Sequence, residues 1–213
     1  MEFLDPKLET YCELHTSAEE PVLQELNRQT HLKVLKPRML SGHLQGQLLS
    51  LLSKMRNPRR ILEIGTYTGY SAICLAQGLS PDGHLHTIDI NEELQSMAAE
   101  YFQKAQLDEK ITMHIGAAAE IVPQLHEEWD LVFIDADKEN YSLYYDLVID
   151  RIASNGYIIA DNVLWSGKVV QPVKANDKST KALLDFNAKV QSDPRVDNVL
   201  LPVRDGLMVC RKI

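Results

Sequence analysis

The feature that most constrains the fold is a regular alternation of short apolar runs with helix-like segments from residue 60 onward. The apolar runs predict strands over 61–65, 84–90, 111–115, 129–135 and 156–161. Several of these runs are nearly continuous in apolar residues and do not alternate, which is typical of strands buried on both faces of a parallel sheet. The segments between them, such as 68–79, supply the crossover helices that parallel strands need. The pattern therefore predicts an α/β fold with helices on both faces of the sheet.

Both ends of the chain depart from this alternation. Segments 199–203 and 207–211 predict two more strands joined by the turn Arg204-Asp205-Gly206, so an antiparallel last strand closes the sheet. The first 55 residues predict helices alone, over 6–14, 19–29 and 42–55. We expect a single Rossmann-like domain over 1–213, with a seven-stranded, mostly parallel core (56–213) under an N-terminal helical cover (1–55).

Composition narrows the class of protein. No apolar run approaches the roughly 18 residues that a membrane-spanning helix needs, and the acidic start of the chain, Met1 to Pro6, lacks the features of a secretory signal. We therefore expect a cytoplasmic protein with no membrane partner. The formal net charge of −8 argues against a protein that derives its affinity from phosphate contacts along a nucleic acid.

A glycine turn follows the first predicted strand, where open α/β sheets bind their ligands. Gly65 and Gly69 in this turn let the backbone approach a ligand closely. Asp89, at the end of the second strand, can accept hydrogen bonds from the ribose hydroxyls of a nucleoside. The alternative for Asp89 is a solvated strand-end acid or a helix cap. A nucleoside site at this edge is the prediction.

Two features favour S-adenosylmethionine over NAD. The turn lacks the G-x-G-x-x-G spacing that places a helix N-terminus against a pyrophosphate. It also carries Glu63 and Ser71, which suit the ammonium and carboxylate of an amino acid. Glu63 could instead be a buried strand-end acid and Ser71 a plain helix N-terminal residue, so an NAD-binding oxidoreductase stays open as an alternative.

An acidic cluster follows the fourth and fifth strands. Asp135, Asp161 and Asn162 would supply three oxygen ligands at adjacent strand ends, which suits Mg²⁺, Mn²⁺ or Ca²⁺. A strand-end aspartate that caps a helix is the alternative for each acid.

Lys138 follows Asp135 by three residues. A lysine close to a cation can accept a proton near neutral pH, and a solvated lysine is the other interpretation.

Several long motifs in order resemble the cation-dependent O-methyltransferases, which include caffeoyl-coenzyme A O-methyltransferases and, more distantly, catechol O-methyltransferases. The resemblance runs from the N-terminal helices to the last strand. It is carried by Met39-Leu40-Ser41 with Gly46-Gln47, Glu63 to Ser71, Asp89-Ile90-Asn91, Asp135 to Tyr141, Asp161 to Gly167 and Leu201 to Gly206.

The resemblance implies roles for residues that the spacing alone leaves undecided. Lys138 matches the general base proposed for the catechol enzymes, acting beside Asp135, and Trp165 matches the wall of the acceptor site. The implied cation ligands are Asp135, Asp161 and Asn162. The implied cofactor contacts are Met39, Ser41, Glu63, Gly65, Thr66, Ser71, Asp89 and Asp135, with Ala117 and Ala118 against the adenine. Members of this family are usually dimers, so we expect a homodimer.

Together these features predict a methyltransferase that uses S-adenosylmethionine and a divalent cation, Mg²⁺ first, to methylate a catechol-type or other phenolic small molecule. Cation binding favours the oxyanion of such an acceptor. The alternative acceptor within the same resemblance is 5-hydroxyuridine in transfer RNA, which needs a basic surface that the net charge does not promise.

Overall fold

The computed structural model describes residues 5–213, so residues 1–4 of the predicted cover lie outside the described residues. Its sheet has the strand order β3-β2-β1-β4-β5-β7-β6. The strands are β1 Arg60–Ile64, β2 His84–Asp89, β3 Ile111–Ile115, β4 Trp129–Ile134, β5 Ile152–Asp161, β6 Val196–Leu201 and β7 Leu207–Lys212. β1 to β5 pair in parallel, and β7 pairs antiparallel with both β5 and β6. The predicted seven-stranded sheet with an antiparallel last strand is confirmed.

Helices cover both faces of this sheet. The helices are α1 Pro6–Leu14, α2 Pro21–Lys33, α3 Gly42–Arg56, α4 Tyr70–Ala76, α5 Gln95–Lys104, α6 Ala118–Ile121, α7 Tyr141–Ile149 and α8 Lys178–Ser192. Side chains of α2 to α5 pack on one face, and those of α6 to α8 pack on the other. Within residues 5–213 no helix is long and apolar enough to cross a membrane.

Several predicted boundaries differ from the structure. The predicted helix 19–29 is α2 Pro21–Lys33, and the predicted strand 199–203 is β6 Val196–Leu201. Two further differences have a local cause. β5 begins at Ile152 and not at Gly156, because Asn155 adopts a left-handed conformation (φ 60°) that lets the strand continue through an irregular stretch. Ser, Asn and Gly are residue types that favour turns, so the composition of Ser154-Asn155-Gly156 does not indicate a strand that continues through it. α4 begins at Tyr70 and not at Thr68, because Gly69 turns the chain with φ 89° and a Cβ atom there would overlap Phe102.

The order of the strands determines where a ligand can bind. β1 lies between β2 and β4. From β1 the chain proceeds outward through β2 to β3, and it then crosses to β4 and proceeds outward on the other side to β5. In open α/β sheets the crevice at such a reversal, beyond the carboxyl ends of the strands, is the usual ligand site. The loops after β1, β2, β4 and β5 therefore carry the candidate site.

Three histidines form a cluster on the neighbouring strands β2 and β3. His86 Nδ1 of β2 lies 2.9 Å from His114 Nε2 of β3, and the ring of His84 is 4.9 Å from that of His86. The pKa of His86 is lowered to about 4, chiefly by burial and also by the positive charge that His84 and His114 would carry. Burial also lowers the pKa of His84 and of His114. The folded protein therefore takes up protons here less readily than the unfolded chain.

This cluster should make the protein less stable in acid. Between about pH 6.5 and pH 4 the unfolded chain binds more protons than the folded state, so the free energy of unfolding falls as the pH falls. His86→Gln should reduce that slope by at most about 1.4 kcal/mol per pH unit, and by less where solvent screens the half-buried ring. Urea titrations at several pH values measure it. His31→Gln on the exposed face of α2 is the control, and an unchanged slope in His86→Gln would contradict the prediction.

Candidate active site

The loop after β1 is built on a glycine that no other residue can replace. Gly65 has φ 108°, and a Cβ atom there would overlap the carbonyl oxygen of Asp135 in the loop after β4. The amide of Asp135 also donates to the carbonyl of Ile64. The loops that follow the two central strands are thus in direct contact.

Asp89 lies at the carboxyl end of β2 and orders the neighbouring loop. Its Oδ2 accepts a hydrogen bond from the amide of Tyr67 (2.7 Å), and its Oδ1 accepts one from the amide of Asn91 (2.9 Å). Each carboxylate oxygen can accept more than one hydrogen bond. Since Asp89 is only partly buried, it can still accept hydrogen bonds from a pair of ligand hydroxyls.

Glu63 is fully buried at the end of β1. Thr66 donates to Thr87, whose hydroxyl donates to Glu63 Oε2 at 2.5 Å, while Glu63 Oε1 has no hydrogen-bond partner. Burial raises the pKa of Glu63 to about 8, and the negative charges of Asp135 and Asp89 add to the rise. A buried acceptor without a donor is costly, and a ligand ammonium group would satisfy it.

A narrow cavity joins most of the predicted cofactor residues. It encloses about 30 Å³, whereas pockets for small ligands usually enclose roughly 300 Å³ or more. Its walls are Met39, Leu40, Ser41, Gly65, Thr66, Tyr67, Tyr70, Ser71 and Asp135. Met39 is the most accessible of the predicted contacts, with 55% of its surface exposed. The cavity is therefore much smaller than a nucleoside site.

Lys138 joins the two acidic strand ends. Its Nζ donates to Asp135 Oδ1 (2.9 Å) and to the hydroxyl of Tyr141 (2.6 Å), and that hydroxyl donates to the carbonyl of Asp161 (3.0 Å). Only 9% of Lys138 is exposed. The lysine is therefore not a solvated surface side chain, and its ammonium group lies between the ends of β4 and β5.

Asp161 is the most deeply buried member of the acidic cluster, with 3% of its surface exposed. The pKa of its carboxyl is raised to about 7, chiefly by burial and also by the negative charge of Asp135. Gln45 Nε2 donates to Asp161 Oδ2 (2.6 Å), and the amide of Asn162 donates to Oδ1 (2.6 Å). Two carboxylates that oppose each other's ionisation in this way favour a cation between them.

The donor set fits a small divalent cation. Asp135, Asp161 and Asn162 offer oxygen atoms alone, as Mg²⁺ and Mn²⁺ prefer. Among residues 5–213 no group of three or more His, Cys, Asp or Glu side chains has metal-ligand spacing. Two carboxylates and one amide, with the remaining positions left to water or acceptor, are the set that this edge provides.

The loop after β5 covers the same edge in a strained conformation. Asn162, Trp165 and Ser166 all have positive φ (59°, 47° and 53°), and the amide of Ser166 is held by Asp205 Oδ1. Lys138 Nζ lies 5.9 Å from the centre of the Trp165 ring. Non-glycine residues with positive φ are uncommon and concentrate at functional sites. The predicted acceptor wall therefore faces the predicted base.

The other predicted contacts lie at neighbouring strand ends. Ala117 and Ala118 follow β3 and begin α6, where the amide of Gly116 donates to the carbonyl of Asp89. Neither alanine lines the narrow cavity. The predicted residues thus form two adjoining groups, one around Gly65 and Asp89 and the other around Lys138.

Three residues without a predicted role contact Asp161 or the wall of the narrow cavity. Gln45 and Tyr141 contact Asp161, and Arg204 Nη1 donates to the carbonyl of Ser41 and to that of Leu40. One signal was available for Gln45: it lies one helical turn before Leu49, so the two share the buried face of α3. A polar residue on an apolar helix face needs a partner.

The chain matches known proteins over most of its length. A family model described as O-methyltransferase matches residues 13–213. Caffeoyl-CoA O-methyltransferase from Medicago sativa is 36% identical over 180 residues, which are 79% of this chain and 73% of that protein. Caffeoyl-CoA O-methyltransferase 5 from Nicotiana tabacum is also 36% identical over 180 residues, with 79% and 75% covered.

Solved structures of other proteins have the same fold as this chain over almost its whole length. The O-methyltransferase from Bacillus cereus in complex with SAH superposes with a TM-score of 0.90 at 28% identity and covers 97% of both chains. TomG from Streptomyces achromogenes, an O-methyltransferase in complex with SAM, has a TM-score of 0.89 at 28% identity, with 97% of this chain and 96% of TomG covered. The fold described above is therefore shared with cofactor-bound relatives.

Proposed function

The chain belongs to the O-methyltransferase family, and we propose that it transfers a methyl group from S-adenosylmethionine to a phenolic hydroxyl with the help of a divalent cation. Asp135 carries the proposal, because it lines the narrow cavity and also forms an ion pair with Lys138. One side chain thus belongs to the cofactor group and to the acidic group. Family membership also argues against an NAD-dependent oxidoreductase.

The acidic and the hydroxyl-bearing residues of the cofactor group contact different parts of the cofactor. Glu63 supplies a buried, unpaired carboxylate oxygen for the ammonium of the amino-acid part. Asp89, ordered by the amides of Tyr67 and Asn91, accepts from the ribose hydroxyls. Ser41, Thr66 and Ser71 line the cavity between these acids and offer hydroxyl groups. The protein thereby holds the reactive part of the cofactor near Asp135.

The second group prepares the acceptor. When bound, the cofactor supplies an electrophilic methyl group and the cation favours the ionised form of the acceptor hydroxyl. Asp135, Asp161 and Asn162 would hold the cation, and Trp165 would limit how an aromatic acceptor lies. A phenol with the ordinary pKa of about 10 is a poor nucleophile at neutral pH, so a residue must take its proton. Lys138 is placed for that step, since its ammonium group contacts the Asp135 carboxylate and lies 5.9 Å from the centre of the Trp165 ring.

Cofactor binding should depend on the Asp89 carboxylate. Asp89→Ala should weaken binding of S-adenosylhomocysteine by about 1 to 3 kcal/mol, because ligand hydroxyls would lose a charged acceptor. Calorimetric titration measures the change, and Glu92→Ala, which removes a charge from the exposed loop next to Asp89, is the matched control. NAD should not bind measurably. Equal or tighter binding of NAD would contradict the cofactor assignment.

The acceptor class is tested by comparing substrates. We propose a catechol-type small molecule, because a second oxygen next to the methylated one would also reach the cation. Catechols, caffeoyl-coenzyme A and RNA containing 5-hydroxyuridine should be assayed side by side with Mg²⁺ or Mn²⁺. Methylation of the RNA alone would replace the small-molecule proposal, although the net charge of −8 disfavours that outcome.

We also propose a homodimer, as the resemblance implies. Among the apolar side chains that are more than half exposed, five lie on two outer helices: Leu8, Tyr11 and Leu14 of α1 with Leu51 and Met55 of α3. Burying them against a second copy would remove apolar surface from water. Light scattering during gel filtration gives the mass, and a species of 24.1 kDa, the mass of one chain, at micromolar concentration would exclude a stable dimer.

A further inference from the structure

A buried relay reaches Asp161 from the N-terminal helical cover. Gln45 of α3 is 1% exposed and donates from Nε2 to Asp161 Oδ2 at 2.6 Å. Its Oε1 accepts from Arg204 Nη1 in the turn between β6 and β7, over a longer distance of 3.4 Å. Because the guanidinium can only donate, it orients the amide so that the NH₂ group points to Asp161. The relay runs Arg204, Gln45, Asp161.

We infer that Gln45 is a positioning residue that holds the Asp161 carboxylate in the orientation needed to bind the divalent cation. Two donors meet this carboxylate from different sides, since Gln45 binds Oδ2 and the amide of Asn162 binds Oδ1. Together they fix the rotation of the carboxylate plane. Each oxygen can still accept a further contact, so the arrangement leaves both free to bind a cation.

Arg204 makes Gln45 more than a packing residue. The same guanidinium nitrogen that contacts Gln45 also donates to the carbonyls of Leu40 and Ser41, beside the cofactor cavity. Arg204 itself has φ 49°, a backbone conformation that is uncommon for a residue other than glycine. Nearby charge polarises an amide and strengthens the hydrogen bond that it donates. The turn between β6 and β7 thereby acts on Asp161 through Gln45, although Arg204 makes no hydrogen bond to Asp161.

The inference depends on the proposed function in one respect, that Asp161 is a cation ligand, and Mn²⁺ binding separates the two. Partners that orient metal ligands usually change metal affinity by roughly 10- to 100-fold when they are removed. Gln45→Met keeps the length and volume of the side chain and loses the donor. Its Mn²⁺ affinity, measured by calorimetry with S-adenosylhomocysteine present, should fall within that range.

Three further measurements make the test specific. Gln47→Met on the same helix is the matched control, because the Gln47 amide donates to the carbonyl of Ala18 at an exposed position, and this variant should bind Mn²⁺ as wild type does. In assays with Mg²⁺, Gln45→Met should need more cation for half-maximal rate and recover most of kcat at saturation. Arg204→Met should weaken Mn²⁺ binding as well. The double variant should bind Mn²⁺ no more weakly than the single variant with the lower affinity, because the effects of residues in one relay are not additive.

The outcomes are distinct. If wild type fails to bind Mn²⁺, the cation site of the proposed function falls and the inference falls with it. If wild type binds Mn²⁺ and folded Gln45→Met binds it within twofold of wild type, Gln45 only packs and the inference is overturned while the proposed function stands. If Gln45→Met does not fold, Arg204→Met decides, and unchanged Mn²⁺ affinity in that variant overturns the relay.

Discussion

Removing the divalent cation is expected to abolish methyl transfer, and Mg²⁺ or Mn²⁺ should restore it. A bound cation contributes several kcal/mol to stabilising charge on a reacting oxygen, so the rate should fall by roughly 10³-fold or more. Asp161→Ala should reproduce this loss, because it removes the buried carboxylate that Gln45 and the amide of Asn162 hold in place. The measurement is the initial rate on a catechol with and without excess chelator.

The Asp161 variant should still fold. The folded state raises the pKa of Asp161 to about 7, so the ionised carboxylate destabilises the cation-free protein as the pH rises through that value. Asp161→Ala removes that cost above about pH 7 when no cation is present, which offsets part of the stability lost with the hydrogen bonds from Gln45 and Asn162. Glu139→Ala, which removes an exposed charge near Asp135, is the control. Full turnover in excess chelator would refute the role of the cluster.

Lys138→Ala is expected to lower kcat by roughly 10² to 10⁴, the usual contribution of positioned proton transfer. The lysine is buried between Asp135 and the Tyr141 hydroxyl, and this places its amine at the cation edge and away from bulk water. Affinity for S-adenosylhomocysteine should change little. The loss of rate should shrink for a nitrocatechol, whose hydroxyl ionises without help from the protein. Steady-state kinetics on both acceptors measure it.

A second variant separates proton transfer from electrostatics. Arginine keeps the positive charge and cannot be deprotonated in proteins, so Lys138→Arg should be almost as slow as Lys138→Ala if the lysine is the base. Lys168→Ala is the matched control, because Lys168 also lies near the Trp165 ring, at 5.6 Å, but is half-exposed. An arginine variant within a few-fold of wild type on an ordinary catechol would leave Lys138 only an electrostatic role.

Much of the fold could be predicted from local sequence. The strands β1 and β4 are short, mostly apolar runs, and a run buried on both faces carries that signal in its own composition. β2 and β3 mix polar and apolar residues and are partly exposed. The hairpin of β6 and β7 was equally local, since only the three residues of a turn separate its strands. The start of β5 was missed because Ser154-Asn155-Gly156 has turn chemistry, and the pairing of Ile152 with Trp129 overrides it.

Part of the candidate site was also predictable. Asp89, Asp135 and Asp161 each end a strand, and parallel strands bring their carboxyl ends to one edge of a sheet. Once the strands are assigned, the sequence therefore predicts that these three acids lie near one another. Lys138 belonged to it by proximity in sequence to Asp135, but sequence could not choose between a solvated lysine and a buried one. The contact with Tyr141 and the 9% exposure decided that point.

By itself, then, the sequence determined the order of strands and helices and the polar residue types at the strand ends, because periodicity and strand-end composition are properties of neighbouring residues. Only the tertiary structure decided which distant side chains complete the site. Gln45 contacts Asp161 across 116 residues of chain, and Arg204 contacts Ser41 across 163. Such contacts depend on how α3 and the turn between β6 and β7 pack against the carboxyl edge of the sheet. Packing is a property of the whole fold, and no local pattern encodes the orientation that it imposes on one amide.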